Sequence, residues 1–568
     1  MVESVVWPRI RKRLGASARA FSTNARNPNL RRAQLSFGAA WTAEWALTVA
    51  LGVVAFRDGG AEAVGIVAFV RMAPAAFLAP IGTALADRYP RERVLLWSCV
   101  LRAAAIGGAA ALLASDGSLV AVYALSVVGT AAFTIFRPAH SALLPLLCMT
   151  PLELTSANVV RGLIDSLSTF AGPLLAALLF AVASAAAVFG AAAALALASG
   201  LALVGVSYDA PARERRAPRA RIAAEVVEGF RGLVRYRQAG LLFGVGFAQT
   251  FTRGCLNVFL VVVALQLLGT GEPGVGVLTG AIGVGAVGGS LAASLFVRGR
   301  RLAVISGVGV ALWGLPIALT AASSREAVVF ALMCVIGVGN ALVDIGVFTL
   351  PGRLVPEAML ARVFGAFESV VALTVALGSL VTPFVIDLLG IKGALVALGL
   401  VAPVVVALAW RGLRAIDASI EHRDAEIEVL QRVGVFRPLP LPAIDSLAVH
   451  LDHAEFAPGQ EIFHQGDRGD RFYVIDAGEA DVIGDGRLVT TIGPGDGFGE
   501  IALLRDTART TTVCARTELR LYTLDRIHFL SAVGGYQSSA QEAEELVSAR
   551  LADLTAGRSA SIQGGSSR

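Results

Sequence analysis

Long apolar runs, separated by short polar loops, occupy most of the chain between residues 33 and 411. A transmembrane helix needs about 20 consecutive apolar residues, and twelve runs of roughly that length are present. These runs are 33–55, 62–84, 94–114, 118–144, 157–181, 184–206, 240–266, 275–297, 302–322, 327–349, 363–389 and 393–411. The pattern predicts a protein that crosses a lipid bilayer twelve times, with both ends of the chain on the same side.

Arginine residues are concentrated in alternate loops between these runs. The arginine-rich loops contain Arg88, Arg91 and Arg93, then Arg213, Arg215, Arg216, Arg219 and Arg221, then Arg298, Arg300 and Arg301, then Arg353 and Arg362. The intervening loops are short and nearly neutral, and residues 1–32 hold eight basic residues against one acid. Because basic loops stay on the cytoplasmic side of a membrane, we expect a multi-pass protein of the cytoplasmic membrane with both termini in the cytoplasm.

The apolar runs divide into two halves that resemble each other. The first half contains Leu144-Pro145 and then Asp165-Ser166, and the second contains Leu350-Pro351 and then Glu368-Ser369, roughly 205 residues later. Such weak internal symmetry is typical of transporters built from duplicated helix bundles. The predicted segments are a basic cytoplasmic tail at 1–32, a six-helix bundle at 33–206, an amphipathic cytoplasmic linker at 207–239 and a second six-helix bundle at 240–411.

The pattern changes after residue 411, where charged residues become frequent. Residues 412–434 have helical spacing and mixed charge, and from His453 to Phe529 short alternating strands are separated by glycine turns. Regular short strands of this kind predict a small antiparallel barrel. We expect a linker helix at 412–434, a folded domain at 435–555 with a lid helix at 537–554, and a disordered Gly/Ser-rich tail at 556–568.

The composition is not that of a purely soluble protein. Charged residues make up 16% of the 568 residues and hydrophobic residues 55%, whereas soluble chains carry about a quarter charged residues. The five cysteines are isolated, so no metal site is predicted. Residues 435–568 hold 12 basic and 19 acidic residues, net −7, and the preceding part is net +12. An acidic C-terminal region argues against binding to nucleic acid.

Several ionisable residues fall within the apolar runs, where each costs about 2.5–3.5 kcal/mol. Glu44 and Arg71 lie near mid-span in the first two runs and are able to pair, and Asp344 and Glu368 also lie within runs or near their ends. One interpretation is a substrate cavity in which Asp165 or Glu44 binds and releases a proton. The other is a set of structural ion pairs between helices. The candidate transport and proton sites are Glu44, Arg71, Arg102, Asp165 and Arg253.

The loop after the second run carries a recognisable motif. Leu85-Ala86-Asp87-Arg88 with Arg91 resembles the loop between the second and third helices of the major facilitator superfamily (MFS), although Thr83 and Pro90 stand where that motif has glycines. An acid beside arginines at a helix end can hold two helix ends together in one of two bundle orientations. The resemblance therefore implies that Asp87, Arg88 and Arg91 form a gating loop.

A second set of residues is similar to the drug and siderophore exporter branch of this family. These residues are Phe136-Arg137-Pro138-Ala139, Leu144-Pro145 and Ala157-Asn158. The resemblance implies a secondary active transporter, a proton-coupled exporter of a small drug-like or siderophore-like molecule.

The stretch from Gly495 to Val513 is the most specific motif in the chain. It resembles the phosphate-binding cassette of cyclic nucleotide-binding domains, and Pro458-Gly459-Gln460, Gln465-Gly466-Asp467 and Phe472-Tyr473-Val474-Ile475 also match that family. The complete expectation is an α-helical membrane protein, a twelve-helix MFS bundle of six plus six helices. It is followed by a C-terminal α+β cyclic-nucleotide-binding β-barrel or jelly-roll domain.

The chemistry of this stretch suits a cyclic phosphodiester. Arg509 offers a planar cation for the phosphate, and Glu500 is able to accept a hydrogen bond from a ribose hydroxyl. Gly499 permits close approach of the backbone, and a short helix starts near Ile501 and Ala502, where free N–H groups suit an anion. Thr510 or Thr511 is able to donate to phosphate or base. A Thr directly after the arginine occurs in cGMP-binding members, but small hydroxyls there also occur in bacterial cAMP-binding members, so cAMP is favoured slightly over cGMP.

Two other functions are compatible with parts of the pattern. In the first, the C-terminal barrel docks a protein partner and binds no nucleotide. In the second, the chain is a cyclic-nucleotide-gated channel, but twelve spans without a regular arginine ladder match such a channel poorly. An enzyme is not predicted, because no nucleophile–base pair, phosphate-binding Walker loop or metal cluster is present. The expected partners are the lipid bilayer, a small-molecule substrate and a cyclic nucleotide.

Overall fold

The computed structural model of the chain describes residues 27–148, 151–206, 219–296, 301–439, 441–534 and 537–564. The chain forms two compact units, Met1–Ile416 and Asp417–Arg568. The predicted basic segments at residues 1–26, 207–218 and 297–300 lie outside the described residues.

The first unit is helical throughout the described residues. Each of the twelve predicted runs is helical over most of its length. The helices are α1 Pro28–Arg88, α2 Arg91–Ala114, α3 Leu119–Leu143, α4 Pro151–Val182, α5 Ala185–Leu203, α6 Arg219–Arg235, α7 Arg237–Val262, α8 Gly271–Phe296, α9 Leu302–Thr320, α10 Glu326–Thr349, α11 Pro351–Leu354, α12 Glu357–Gly399 and α13 Val401–Arg432. A 3₁₀ turn at Leu144–Leu147 follows α3, and a π turn at Val263–Leu267 follows α7.

Glycines divide the two longest apolar stretches into separate spans. Among the described residues, ten stretches are long and apolar enough to cross a membrane. Two of these contain a break: α1 is non-helical at Gly59 and Gly60, and α12 is non-helical at Gly390. Gly60 has φ of 63° and Gly390 has φ of 69°, a conformation that residues with a Cβ rarely adopt. When each interrupted stretch is counted as two spans, the described helices provide twelve crossings.

The two six-helix halves contact each other through α1 with α12 and through α4 with α8. Glycines make these contacts close, as is common between membrane helices. A methyl group on Gly65 would lie 2.7 Å from the carbonyl oxygen of Ser379, and one on Gly276 would lie 2.5 Å from that of Pro173. Both contacts lie near the end of the bundle that carries Gly60, here called the Gly60 end. The halves are therefore packed backbone against backbone at that end.

The second unit is a sandwich of two antiparallel sheets with helices at both ends of its sequence. After a 3₁₀ turn at Gly434–Phe436, its elements are α14 Leu441–Ala448, β1 Asp452–Phe456, β2 Glu461–Phe463, β3 Arg471–Ala477, β4 Ala480–Gly484, β5 Arg487–Ile492, β6 Gly497–Phe498, α15 Glu500–Arg505, β7 Thr512–Ala515, β8 Leu519–Asp525, α16 Arg526–Gly534 and α17 Gln537–Gly564. The strand orders are β1-β8-β3-β6 and β2-β7-β4-β5.

Two apolar clusters hold the second unit together. Alternate residues of the strands, among them Ile475 and Leu521, fill the space between the sheets. A second cluster joins α13 to the helices beside the barrel through Leu430, Phe436 and Phe529. The boundary between the two units falls within α13, after Ile416, whereas the sequence suggested residues 411 and 434. Helix α17 runs to Gly564 and so includes most of the tail that the sequence predicted to be disordered; Ala556, Arg558 and Ala560 favour helix there.

Candidate functional site

The predicted phosphate-binding cassette forms a strand, a tight turn and one short helix. β6 ends at Phe498, and Gly499 follows with φ of 90°. This left-handed conformation turns the chain directly into α15, which begins at Glu500. Ile501 is partly buried and Ala502 is buried in the first turn of α15. Gly499, Glu500, Ile501 and Ala502 therefore lie together around a single turn.

Arg509 lies inside the barrel rather than on its surface. It is 3% exposed, and its guanidinium donates to the carbonyl oxygen of Gly499 at 2.9 Å and to that of Arg471 at 2.8 Å. The guanidinium carbon lies 4.2 Å from the centre of the Phe463 ring. Burial lowers the pKa of the Arg509 guanidinium, and nearby Tyr473 partly offsets this effect. Even so, the group stays charged at neutral pH, so the barrel contains a buried cation.

Glu500 supplies an anion next to this cation. It is 1% exposed, and its Oε1 accepts a hydrogen bond of 2.7 Å from Nη1 of Arg550. Its Oε2 is buried and has no hydrogen-bond partner in the described chain, and the same is true of Nε of Arg509. Buried polar atoms are nearly always hydrogen-bonded in folded proteins. Two such atoms in one cassette indicate a place where a polar ligand completes the bonding.

The structure brings most of the predicted nucleotide-binding residues together. Gly499 and Arg509 are hydrogen-bonded, and Glu500 interacts electrostatically with Arg509. Thr511 is buried and Thr510 is partly buried, directly after Arg509.

Sequence reasoning did not find Arg550, although it lies in the predicted lid helix. No local pattern indicates that a residue 50 positions after Glu500 reaches its carboxylate. The aromatic contact of Arg509 with Phe463 was likewise not predicted, because it joins β2 to the chain after α15.

A buried ion triad occupies the first half of the helix bundle. Glu44 accepts hydrogen bonds from Arg71 and, at 2.7 Å, from Arg102. Arg71 also donates to the hydroxyl of Thr130 at 2.8 Å, and Arg102 donates to the carbonyl oxygen of Ala40 at 3.1 Å. Both arginines are buried. The pairing of Glu44 with Arg71 that the sequence allowed is therefore present, and Arg102 extends it to three groups.

A second, more open charge cluster lies where the two halves face each other. Asp165 on α4 and Arg253 on α7 interact electrostatically with each other and with Arg137 and Asp344. Nη1 of Arg137 lies 3.8 Å from Oε2 of Glu368, and these side chains are 50% and 41% exposed. Charged side chains in a membrane span face a protein interior or a water-filled cavity rather than lipid. The cluster is therefore expected to face the space between the halves rather than lipid.

The sequence analysis selected Asp165 and Arg253 for this region but did not select Arg137. The structure adds Arg137, which sits on α3 six residues before its end and faces the second half. Arg137 entered the sequence analysis only as part of the motif Phe136-Arg137-Pro138-Ala139. That motif does not show which side of the helix faces the second half.

The predicted gating loop is only partly described. α1 ends at Arg88 and α2 begins at Arg91, which is partly buried. The side chains of Asp87 and Arg88 lie outside the described residues, so their pairing stays a prediction. In the described part of the chain, no group of three or more His, Cys, Asp or Glu residues is placed to hold a metal ion.

Comparison with known proteins supports both parts of this description. The family model of the Major Facilitator Superfamily matches residues 35–373, more than half of the chain, and the model of the cyclic nucleotide-binding domain matches residues 453–535. The chain belongs to the Major Facilitator Superfamily and carries a cyclic nucleotide-binding domain after its helix bundle. This membership indicates a membrane transporter.

Two curated relatives each match less than a quarter of this chain. The cAMP-dependent protein kinase regulatory subunit of Yarrowia lipolytica is 33% identical over 129 residues, which are 23% of this chain and 34% of that protein. The same subunit of Eremothecium gossypii is 44% identical over 79 residues, 14% of this chain and 17% of that protein. The chain thus spans about a third or less of the length of these relatives.

Solved structures match a similar share of this chain. The regulatory domain of Toxoplasma gondii PKA with cAMP is 26% identical with a TM-score of 0.19, covering 19% of this chain and 44% of that one. The regulatory subunit of a cAMP-independent protein kinase A from Trypanosoma cruzi bound to guanosine is 32% identical with a TM-score of 0.19, covering 20% and 43%.

Proposed function

We propose that this chain is a proton-coupled exporter of a small drug-like or siderophore-like molecule, regulated by a cyclic nucleotide bound to its C-terminal domain. The observation that carries the regulatory part is the buried pair of Arg509 and Glu500, each with an unbonded polar atom. A cyclic phosphodiester carries one negative charge, and a guanidinium presents parallel N–H donors that match two of its oxygens. Glu500 would accept from the ribose hydroxyl.

Binding would add hydrogen bonds to Arg509, because a guanidinium has five N–H donors. The terminal nitrogens of Arg509 already donate to the carbonyl oxygens of Gly499 and Arg471. Each terminal nitrogen keeps a second N–H, and Nε has no hydrogen-bond partner in the described chain. A bond from these groups to a phosphate is charge-assisted, and such bonds are about twice as strong as neutral ones. The anion would also stabilise the charged form of Arg509, whose pKa burial lowers.

We propose cAMP as the preferred nucleotide. Both curated relatives named above are cAMP-dependent protein kinase regulatory subunits, and the cyclic nucleotide-binding family model matches residues 453–535. Thr510 leaves cGMP as the alternative, so both nucleotides belong in the test.

For transport, Asp165 is the stronger of the two proton-site candidates. Its Oδ1 is buried without a hydrogen-bond partner in the described chain, and it lies in the charge cluster between the halves. Glu44 is already neutralised by Arg71 and Arg102, which favours a structural role. We place both termini and the nucleotide-binding domain in the cytoplasm, on the basis of the arginine-rich loops.

Regulation would act through α13. This helix contains the end of the last apolar stretch, and its residues Ile427 and Leu430 belong to the apolar core of the second unit. A ligand shifts a conformational equilibrium only by its difference in affinity for the two states, and couplings of about 1–3 kcal/mol are usual.

Calorimetry on the purified full chain with cAMP and with cGMP tests the nucleotide proposal. We expect binding by the wild type and a loss of about 10-fold or more with Arg509→Ala, because a hydrogen bond to a charged group contributes about 1.5–3 kcal/mol. Arg516→Ala is the matched control, since Arg516 is exposed on the same domain. Absence of heat with both nucleotides, or equal affinity in Arg509→Ala, would favour a docking module that binds no nucleotide.

Transport is tested separately in proteoliposomes with an imposed pH gradient. Nucleotide-dependent efflux of a fluorescent substrate supports a regulated exporter, and its loss in Asp165→Asn supports the proton site. A steady ohmic current under cyclic nucleotide would instead favour a gated channel.

A further inference from the structure

Helix α6 lies at the level where membrane spans begin. It ends at Arg235, and α7, a candidate span, begins two residues later at Arg237. α6 also packs against α12, near residues that start the span Arg362–Ile420. Because both neighbours place it at a membrane boundary, α6 runs along the surface of the bundle rather than through it.

Two glycines fix the rotation of α6 about its axis. A methyl group on Gly229 would overlap the carbonyl oxygen of Arg362, and one on Gly232 would lie 2.6 Å from the side chain of Val363. Glu228 adds an ion pair of 2.6 Å with Arg362. One side of the helix is therefore held against α12, and the opposite side must face away from the bundle.

The side that faces away is both apolar and basic. Val227, Phe230 and Val234 are exposed, with Val234 at 84%, and their spacing places them on one stripe. Arg231 and Arg235 are exposed beside this stripe. An apolar stripe flanked by arginines is typical of helices that lie in the membrane interface.

We propose that this outer face of α6, formed by Val227, Phe230, Arg231, Val234 and Arg235, rests on the bilayer and binds acidic phospholipid headgroups. Its position at a span boundary brings the stripe to the depth of the upper acyl chains. The arginines are complementary to anionic headgroups, and each basic residue near such a surface strengthens binding to it about fivefold.

Fluorescence quenching by brominated lipids tests this directly. The full chain with Val234→Trp is placed in vesicles of phosphatidylcholine and phosphatidylglycerol, with bromine on the acyl chains of only one lipid at a time. The chain contains six other tryptophans, so the signal is the difference from wild type. We expect the added tryptophan to be quenched, and more strongly when the same fraction of phosphatidylglycerol is brominated.

Two further variants separate the apolar and charged contributions. Arg231→Gln with Arg235→Gln in the Val234→Trp background should keep the quenching but lose the preference for phosphatidylglycerol. Ile527→Trp, at a position that is 76% exposed in the second unit, should show no quenching. Phe230→Trp, which keeps an aromatic ring, provides a second reporter in case Val234→Trp does not fold.

Two results would overturn the proposal. No quenching at either position would mean that water or protein, such as the second unit or another copy of the chain, covers this face. Equal quenching by the two lipids would mean that the face touches the bilayer without selecting acidic headgroups.

Discussion

Arg550 on α17 donates hydrogen bonds to both Oε1 of Glu500 and the carbonyl oxygen of Gly497, at 2.7 and 2.9 Å. The last helix of the chain is therefore attached to the cassette at its buried carboxylate. A second link joins the same two helices on the surface, where Arg505 contacts Glu544 at 2.5 Å with both side chains largely exposed.

The two links should differ strongly in their contribution to stability. Arg550→Ala removes the hydrogen-bonded cation of the buried Glu500 carboxylate. Breaking a buried pair costs about 3–5 kcal/mol, and we expect the lower part of that range because the Arg550 side chain is 31% exposed. Arg505→Ala removes an exposed pair that contributes about 0–1 kcal/mol. Amide hydrogen exchange along α17 in the full chain measures the difference, and equal protection in the two variants would contradict the assignment.

Glu44 and Asp165 should separate stability from transport. Glu44→Gln leaves Arg71 and Arg102 buried without an anion, so we expect a loss of about 3–5 kcal/mol in stability. Asp165→Asn lies in the half-exposed cluster and should change thermal stability little while it abolishes pH-driven efflux. Thermal unfolding followed by circular dichroism, paired with efflux assays, provides both readouts. Normal efflux in Asp165→Asn would remove this residue as a proton site.

Gly276 should be intolerant of any side chain. A methyl group there would lie 2.5 Å from the carbonyl oxygen of Pro173, so Gly276→Ala must push α8 away from α4 at a cost of about 1–3 kcal/mol. Gly288→Ala on the same helix is the control, because a methyl group there meets nothing within 4 Å. A lower unfolding temperature is expected for the first variant alone.

Asp525 should stabilise α16 in a pH-dependent way. Its Oδ1 accepts hydrogen bonds from the backbone N–H of His528 at 2.9 Å and from the ring of His528, which makes it the N-cap of α16. These bonds lower the pKa of Asp525. The stabilisation is therefore present above the ordinary aspartate pKa of about 3.9 and is lost as the pH falls through the lower folded value.

Asp525→Ala should cost about 1 kcal/mol at neutral pH, the usual value for an N-cap. Hydrogen exchange of the α16 amides measures this cost, and the difference from wild type should shrink in acid. Asp525→Asn keeps a capping oxygen without a titrating charge, so its difference from Asp525→Ala should not depend on pH.

The sequence predicted those elements whose pattern lies within the element itself. Apolar runs located the spans, because a span needs only its own length of apolar residues. Strands β3, β4 and β5 were located by alternation and glycine turns. The cassette around Arg509 was located by a continuous motif, and its turn at Gly499 follows from the residue type.

Residues that act through distant partners were harder to predict. Arg137 meets Glu368 across the two halves, and Arg550 meets Glu500 from another helix. Such contacts depend on helix rotation and packing, which a single sequence does not specify. Glu44 and Asp165 looked equivalent in the sequence because both are acids within spans, and only their neighbours distinguish them.

The close glycine contacts at the Gly60 end have a consequence for motion. A carrier that exposes its cavity to each side in turn must separate these surfaces and join them again. Glycine has no side-chain rotamers to lose. The two surfaces can therefore come together again without first ordering side chains at the interface. An interface without interlocking side chains suits two surfaces that must separate and rejoin once in every transport cycle.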